Sequence, residues 1–230
     1  MIAKNLKRYI SLNNFLKEKF GTRVHKVPLD GGFTCPNRDG SKSTGGCIYC
    51  NSLGSGTGAS LEGKSIEKQM EEGITYLSKR FKAQKFIAYF QSYSGSYGPV
   101  EKLKKLYDSS LIDDRVVGLS VGTRPDCLNK EVLDLLEDYQ KKNYMVWLEI
   151  GLQSVHNKTL EFINRHHSFE DFLYVLDRAK ERGLLVCTHI IFGLPGEGHE
   201  EMIETAKKIS KLPFDGIKFH SLYVVKGTPM

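Results

Sequence analysis

Cys35, Cys47 and Cys50 lie within sixteen residues of a 230-residue chain that contains five cysteines in all. The segment around them, residues 31–50, reads GGFTCPNRDGSKSTGGCIYC. Its glycines, proline and small polar residues break both helix and strand, so it is a loop that presents three thiols. A loop longer than about 12 to 15 residues inside a compact domain is usually functional or disordered, and three convergent cysteines argue for function. Thiolates are metal ligands, which leaves a structural zinc, an iron–sulfur cluster or a chance grouping. Chance is the weakest of these, because cysteine is oxidisable and normally kept for burial or chemistry. A structural zinc takes four ligands, so His25 or another distant residue would have to complete the set. An iron–sulfur cluster normally has one thiolate per iron; with three, a four-iron cluster keeps one iron free to bind something else.

The other two cysteines, Cys127 and Cys187, stand far from the triplet. An odd count with no secretory leader is not a secreted disulfide framework. Cys187 sits in an apolar run and reads as a buried inert thiol, whereas Cys127 falls in a strand-end loop and could face a cavity.

The elements that must hold the cysteine loop follow from periodicity. Residues 4–20 place Leu6, Tyr9, Ile10, Asn13, Leu16 and Phe20 three and four apart, which predicts an amphipathic helix ended by Gly21. Residues 24–29 (VHKVPL) read as a strand that runs directly into the loop, and residues 51–59 as a Gly and Ser linker before a helix over 65–81. Further strands are predicted over 86–90, 115–121, 144–150, 184–192 and 216–225. Helices are predicted over 100–107, 130–139, 157–163, 169–182 and 200–210. Six strands separated by helices predict parallel βαβ units and an α/β fold. In such folds sites gather at the C-terminal ends of the strands. Here those ends are polar, reading DGGFTC, QSYSGSYG, GTRPD, GLQS and GLPGEG in order. The organisation expected is one domain, with a basic N-terminal helix over 1–23 and a partial barrel over 24–225.

Hydrophobic content of 40% with 26% charged residues is that of an ordinary globular protein. No apolar run approaches the roughly 18 residues of a membrane helix, and no charged-then-apolar leader is visible, so the expectation is a cytoplasmic protein without a membrane partner. The formal charge of +6 is concentrated at one end: residues 1–26 hold seven Lys or Arg against Glu18 alone. That end reads either as the footprint of a polyanionic partner or as a solvated helical face.

Cys35 followed by Cys47-Ile48-Tyr49-Cys50 after a first strand resembles the cluster loop of the radical S-adenosylmethionine (SAM) superfamily. The usual pattern there is C-x3-C-x2-C with an aromatic residue just before the last cysteine. Tyr49 matches the aromatic; the first gap, eleven residues here, is widened as in the branch that includes the catalytic subunit of Elongator, which works on transfer RNA. GLQS at 151–154 and FGLPGE at 192–197 resemble fourth- and fifth-strand motifs of that branch. GGFTCPNRDG, YFQSY, TRPDCL, GLQS and KGTP together resemble a bacterial family of the YhcC/YtqA (MnmL) type, tied to modification of the tRNA wobble uridine. One Gram-positive member converts carboxymethylaminomethyluridine to aminomethyluridine ahead of a methyltransferase.

The resemblance implies a partial (β/α)6 radical SAM barrel and a [4Fe–4S] cluster held by Cys35, Cys47 and Cys50. It also implies S-adenosyl-L-methionine on the unique iron, an electron donor such as flavodoxin or ferredoxin, a deoxyadenosyl radical as hydrogen abstractor, and tRNA as substrate. Gln91 and Ser92 stand where the superfamily often has GGE for the methionine amine. Gln153 reads as a ribose partner, or as a polar residue that satisfies a strand end. Arg165, twelve residues on, stands where enzymes of the coproporphyrinogen dehydrogenase type keep an arginine for the methionine carboxylate; the other reading is a surface arginine beside His166 and His167. His189 replaces an acidic ribose ligand of some relatives, or is a satisfied core histidine. Gly193, Pro195 and Gly196 would shape the adenine end, and Tyr93 and Tyr97 would stack on a base or simply pack. The family continues past position 230, so a missing C-terminal segment is expected, bearing on substrate binding more than on cluster binding. Two other readings stay open: a radical SAM oxidoreductase acting on a small molecule, and a non-catalytic zinc-binding module for nucleic acid.

Overall fold

The computed structural model describes residues 8–230. The apolar runs form six strands: β1 (Val24–Leu29), β2 (Lys85–Phe90), β3 (Val116–Thr123), β4 (Met145–Gln153), β5 (Leu185–Phe192) and β6 (Gly216–Ser221). All neighbours pair in parallel, in the order β1-β2-β3-β4-β5-β6. The helices are α1 (Leu12–Phe20), α2 (Ile66–Phe81), α3 (Val100–Asp108), α4 (Lys130–Lys141), α5 (Asn157–Phe162), α6 (Phe169–Glu181) and α7 (His199–Ile209).

Side chains alternate across each strand. One set, including Val27, Leu29, Phe86, Ala88, Phe90, Val146, Leu148 and Ile150, packs against helix residues such as Met70, Leu103, Leu136 and Phe172 to form the main core. The other set faces inward. The sheet curls around it, as a single ion pair demonstrates: Lys26 of β1 pairs with Glu149 of β4. Three strand spacings in a flat sheet would separate them by about 14 Å, beyond the reach of these side chains. The curl makes a half-barrel with an inside. Its lower end, at the strand N-termini, is filled by α1, whose Leu16 packs with Val24, Ile87, Met145, Trp147 and Cys187 while Phe15 and Phe20 lie alongside. The C-terminal end is open and polar.

The structure departs from the sequence expectation at element ends. Helix α1 begins at Leu12, because Ser11 caps it by accepting a hydrogen bond from the Asn14 N–H (3.3 Å); Tyr9 and Ile10 are exposed ahead of it. The part of the expected helix over 1–7 lies outside the described residues. β3 and β4 run two and three residues further than expected, so Gly122, Thr123, Gly151 and Gln153 belong to strands. β6 stops at Ser221: the Leu222 N–H still meets the Phe192 carbonyl (2.8 Å), after which pairing ends, with Tyr223 exposed at the cavity's rim and Val224 exposed beside it. Among the described residues no helix is long and apolar enough to cross a membrane.

Candidate functional site

A cavity of about 470 Å³ opens at the C-terminal end of the half-barrel. The cysteine loop forms one wall with Cys35, Arg38, Cys47, Tyr49 and Cys50, and the strand ends supply Gln91, Tyr93, Thr123, Glu149, Gln153, His189, Lys218 and His220. The loop has no regular structure of its own, so side chains lock it. Arg38 donates to the carbonyls of Cys50 (3.0 Å) and Asn51 (2.7 Å), and Asn37 donates to the Asn164 carbonyl (2.6 Å). In return Asn164 donates to the Gly46 carbonyl (2.7 Å), and Ile48 and Tyr49 pack on Leu160, Ile163, Ile191 and Leu194. The three thiols of the triplet are free; Cys35 and Cys47 are buried and Cys50 is half-buried.

Arg165 is buried, against the reading of a surface arginine. Its Nε donates to His167 Nε2 (2.9 Å), its Nη2 to the Gly151 carbonyl (2.7 Å) and its Nη1 to Cys47 Sγ (3.6 Å). Asn37 Nδ2 reaches the same sulfur at 3.7 Å. Burial pushes the Cys47 thiol up, but the Arg165 charge and hydrogen bond, helped by Arg124, outweigh it and hold the thiol below its usual range. Cys47 is thereby biased towards the thiolate that metal ligation requires. Cys50 goes the other way: burial raises it, and Arg38 only partly opposes. His167 is driven down to about 3 by burial and by Arg165 and Arg124, so it is neutral. Neutral His167 accepts the Arg165 Nε–H hydrogen bond at its Nε2 and donates from Nδ1 to the Ser168 carbonyl (3.2 Å). Behind it, buried Arg124 forks onto Asp126 with two bonds of 2.9 Å and donates to the Arg165 carbonyl (2.7 Å).

A side chain at Gly151 would push on two residues of the site. A Cβ there would stand 2.6 Å from Gln153 Nε2 and 2.7 Å from Arg165 Nη2. The register of β4 shifts between Gly151 and Gln153, and Gln153 sits at φ +79°, a left-handed conformation uncommon for a non-glycine residue. Four buried polar atoms around this corner have no partner: Tyr49 OH, Gln153 Oε1, Asn37 Oδ1 and Arg124 Nη1. Strain and unpaired polar atoms cluster at functional sites, and two of these four residues, Tyr49 and Gln153, line the cavity.

Deeper in the cavity Glu149, buried on β4, gathers side chains from every other strand. Its Oε1 accepts from Lys26 of β1 and from Ser120 of β3 (3.1 Å). Its Oε2 accepts from Tyr89 of β2 (2.8 Å) and from His189 Nε2 of β5 (2.8 Å), and Lys218 of β6 stands 3.7 Å away. Burial alone would raise this carboxyl; His189 and Lys26 outweigh it and hold Glu149 well below the carboxylate range. Sequence reasoning missed this group. The signal available was an acidic residue inside the apolar run YMVWLEI, with Lys26 similarly placed in VHKVPL, and Lys218 and His220 sharing one face of GIKFHS. Arg38 and Arg124 were missed as well.

Of the expected site residues, Cys35, Cys47, Cys50, Tyr49, Gln91, Gln153, Arg165 and His189 come together around the cavity. Ser92 lies behind its wall, buried and donating to Asp30 Oδ1 (3.0 Å), and Gly193 stands just past β5 at φ +85°. Tyr93 lines the cavity, with Gly54 against its ring. Tyr97 and Cys127 line a second cavity of about 500 Å³ beside the loop, where burial and Asp126 push the Cys127 thiol up to about 12. Cys187 is buried and likewise raised to about 12. His25, the candidate fourth zinc ligand, instead stacks on Phe81 with ring centroids 4.9 Å apart. Of the N-terminal basic residues, Lys17 and Lys19 are exposed on α1, at the end of the half-barrel away from the cavity; Lys4 and Lys7 lie outside the described residues.

Among the described residues no three His, Cys, Asp or Glu side chains are arranged to hold a single metal ion. The donor set that the cavity offers is three thiols spread along one wall, which suits a cluster whose irons each take one thiolate.

The family model described as "Radical SAM superfamily" matches residues 37–209. The chain is 44% identical to YtqA of Bacillus subtilis over 224 residues, 97% of this chain and 69% of that one. It is 31% identical over 135 residues to a tRNA uridine(34) acetyltransferase of Methanocaldococcus jannaschii, 57% of this chain and 24% of that one. Among solved structures, an N-terminally shortened Elp3 of Methanocaldococcus infernus superposes with a TM-score of 0.66 at 20% identity, over 90% of this chain and 47% of that chain. This last likeness speaks for the fold, a partial radical SAM barrel.

Proposed function

The chain belongs to the radical SAM superfamily, enzymes that use a [4Fe–4S] cluster and S-adenosylmethionine, and we propose from this that it modifies the wobble uridine of transfer RNA, converting carboxymethylaminomethyluridine to aminomethyluridine. The observation that carries the reading is three free thiols on one cavity wall facing strained, unpaired polar groups on the next. Cys35, Cys47 and Cys50 would hold the cluster, and Tyr49, Gln91, Gln153, Arg165 and His189 would hold S-adenosylmethionine, with Ser92 and Gly193 backing the wall. When bound, the pair supplies a deoxyadenosyl radical that takes a substrate hydrogen.

The chain's own residues bind and orient. Arg165 donates to Cys47 and keeps that ligand charged. Gln153 Oε1, buried and unpaired, is an acceptor for a ribose hydroxyl, and Tyr49 OH is a donor with nothing yet to meet. The α1 plug closes the far end of the half-barrel and keeps water from entering behind the site. The tRNA assignment is supported by relatives named for tRNA uridine(34). The partners this reading requires are tRNA, a small electron donor of the flavodoxin or ferredoxin class, and a methyltransferase that consumes the product.

Two measurements test it. Anaerobic reconstitution with iron and sulfide is expected to load about four irons per chain, and Cys35→Ala, Cys47→Ala and Cys50→Ala each to lose most of them; full iron content in any one of the three removes that cysteine from the ligand set. Nucleoside analysis of tRNA from cells lacking the gene is expected to show the carboxymethylaminomethyl form accumulating, and unchanged wobble uridines would sink the substrate assignment.

A further inference from the structure

Three cations line the cavity: Arg38, Arg165 and Lys218. Two are committed. Arg38 donates to the Cys50 and Asn51 carbonyls, and Arg165 to Gly151, His167 and Cys47. Lys218 is different. Its nearest carboxylate is Glu149, and a carboxylate has about four lone-pair sites. Lys26, Ser120, Tyr89 and His189 fill all four. Lys218 Nζ stands outside that shell at 3.7 Å from Oε2, beyond hydrogen-bond distance, and among the described residues no acceptor takes its protons. Lys26 is the ammonium that neutralises Glu149, since it touches the carboxylate and its side chain is 17% exposed against 47% for Lys218.

The other titratable groups here leave that charge uncancelled. His189 is lowered chiefly by burial, His220 is lowered to about 4, and the Cys187 thiol is raised to about 12, so all three are neutral near pH 7. Glu149, Lys26 and Lys218 therefore leave one net positive charge on the β6 side of the cavity. The Lys218 ammonium, partly exposed, lies over the Tyr89 ring 5.9 Å from its centroid. It has three donors on a flexible stem and can swing to a ligand.

We propose that Lys218 anchors an oxyanion of the substrate, a carboxylate or a phosphate, in the part of the cavity beside Glu149 and Tyr89. This rests on the cavity being the radical SAM active site, and it adds where the substrate's charge sits and which residue selects for it. A neutral substrate of the same shape would leave the ammonium facing nothing, so Lys218 is a specificity-determining residue.

The test reads Lys218 directly. In the full chain loaded with its cluster and labelled with 13Cε-lysine, the Lys218 line is assigned by its loss in Lys218→Met. Titration with acetate and with inorganic phosphate is expected to shift that line, and titration with acetamide to leave it in place. The stronger of the two anions tells a carboxylate source from a phosphate source. A line that neither anion moves, or that acetamide moves equally, overturns the proposal. In turnover, Lys218→Met is expected to raise KM by about two- to fivefold, the loss of one partly exposed ion pair, and Lys218→Arg to recover most of it; an unchanged KM overturns the proposal as well. If the wild-type enzyme modifies no tRNA, the functional reading falls, and the lysine titration still decides whether this is an anion site.

Discussion

Two buried charges share the wall of this cavity and are treated in opposite ways. Glu149 is surrounded by as many donors as it has lone pairs, drawn from four other strands, and none of the atoms that meet it is left over. Arg165 is surrounded by a neutral histidine, a thiol and a carbonyl, and the atoms around it include four buried polar groups with no partner. An unpaired buried group costs about 1–3 kcal/mol. The Glu149 carboxylate is satisfied by the protein alone and ties β1, β2, β3 and β5 to β4, whereas the groups around Arg165 leave four polar atoms unpaired. One wall is scaffold and the other is site.

The largest effect that separates them belongs to Glu149. Glu149→Ala leaves half-buried Lys26 beside Tyr89 with no counter-charge, and breaking a buried pair costs about 3–5 kcal/mol, so the lower end of that range is expected here. A drop of that size in unfolding free energy is expected from urea titration. Glu149→Gln, which still accepts hydrogen bonds, is expected to cost less. An alanine variant as stable as wild type would mean that Glu149 does not tie the strands together, and the distinction between the walls would fail.

A second effect separates the walls along the pH axis. The folded pKa of Glu149 is depressed, so its stabilisation is present above the unfolded carboxyl value of about 4.3 and is lost only as pH falls below it. His167 is also depressed, to about 3, and its contribution is lost in the same direction, as pH falls, but from a higher starting pH. Below the unfolded value of about 6.5 the unfolded chain binds a proton that the native one refuses, so stability falls from there downward. Between pH 6.5 and 5 this amounts to about 2 kcal/mol from His167 alone. His167→Gln, which keeps an acceptor for Arg165, is expected to lose about that much less over the same interval in urea midpoints measured against pH. His189 and His220 titrate in the same direction, so some slope remains. A variant slope identical to wild type would mean that His167 is not held neutral.

The strands and most helices were legible in the sequence because continuous apolar runs and their Gly and Pro breaks follow from local chemistry. The polar strand ends, read in order, identified the mouth of the half-barrel. The triplet loop was legible as chemistry but not as geometry: that Arg165, 118 positions from Cys47 in the chain, sets the charge on its sulfur depends on the curl, which no local pattern encodes. Glu149 was hidden for the same reason. An acid in an apolar strand is visible, yet its meaning depends on Lys26 being brought across the inside from β1. Sequence also carried β6 past Ser221, because Leu222 to Val225 is as apolar as a strand but has no partner strand to pair with.

The smallest effect is the most diagnostic, since it predicts a gain. Gln153 is held at φ +79° with Oε1 buried and unpaired, two costs that pack no core and curl no strand. Glycine adopts that conformation freely and has no amide to leave unpaired, although it adds freedom to the unfolded chain worth about 0.5–1 kcal/mol. Relief of strain and of an unpaired acceptor, each about 1–3 kcal/mol, outweighs this. Gln153→Gly is therefore expected to raise stability by about 1 kcal/mol, a shift of roughly 2–4 °C in melting temperature for a chain of this size. The same variant is expected to bind S-adenosylmethionine more weakly by calorimetry. The corresponding change on the other wall, Tyr89→Phe, removes a satisfied donor from Glu149 and should lower stability. If both substitutions destabilise, Gln153 is one more piece of scaffold; if they move in opposite directions, the strain at Gln153 is maintained for a ligand.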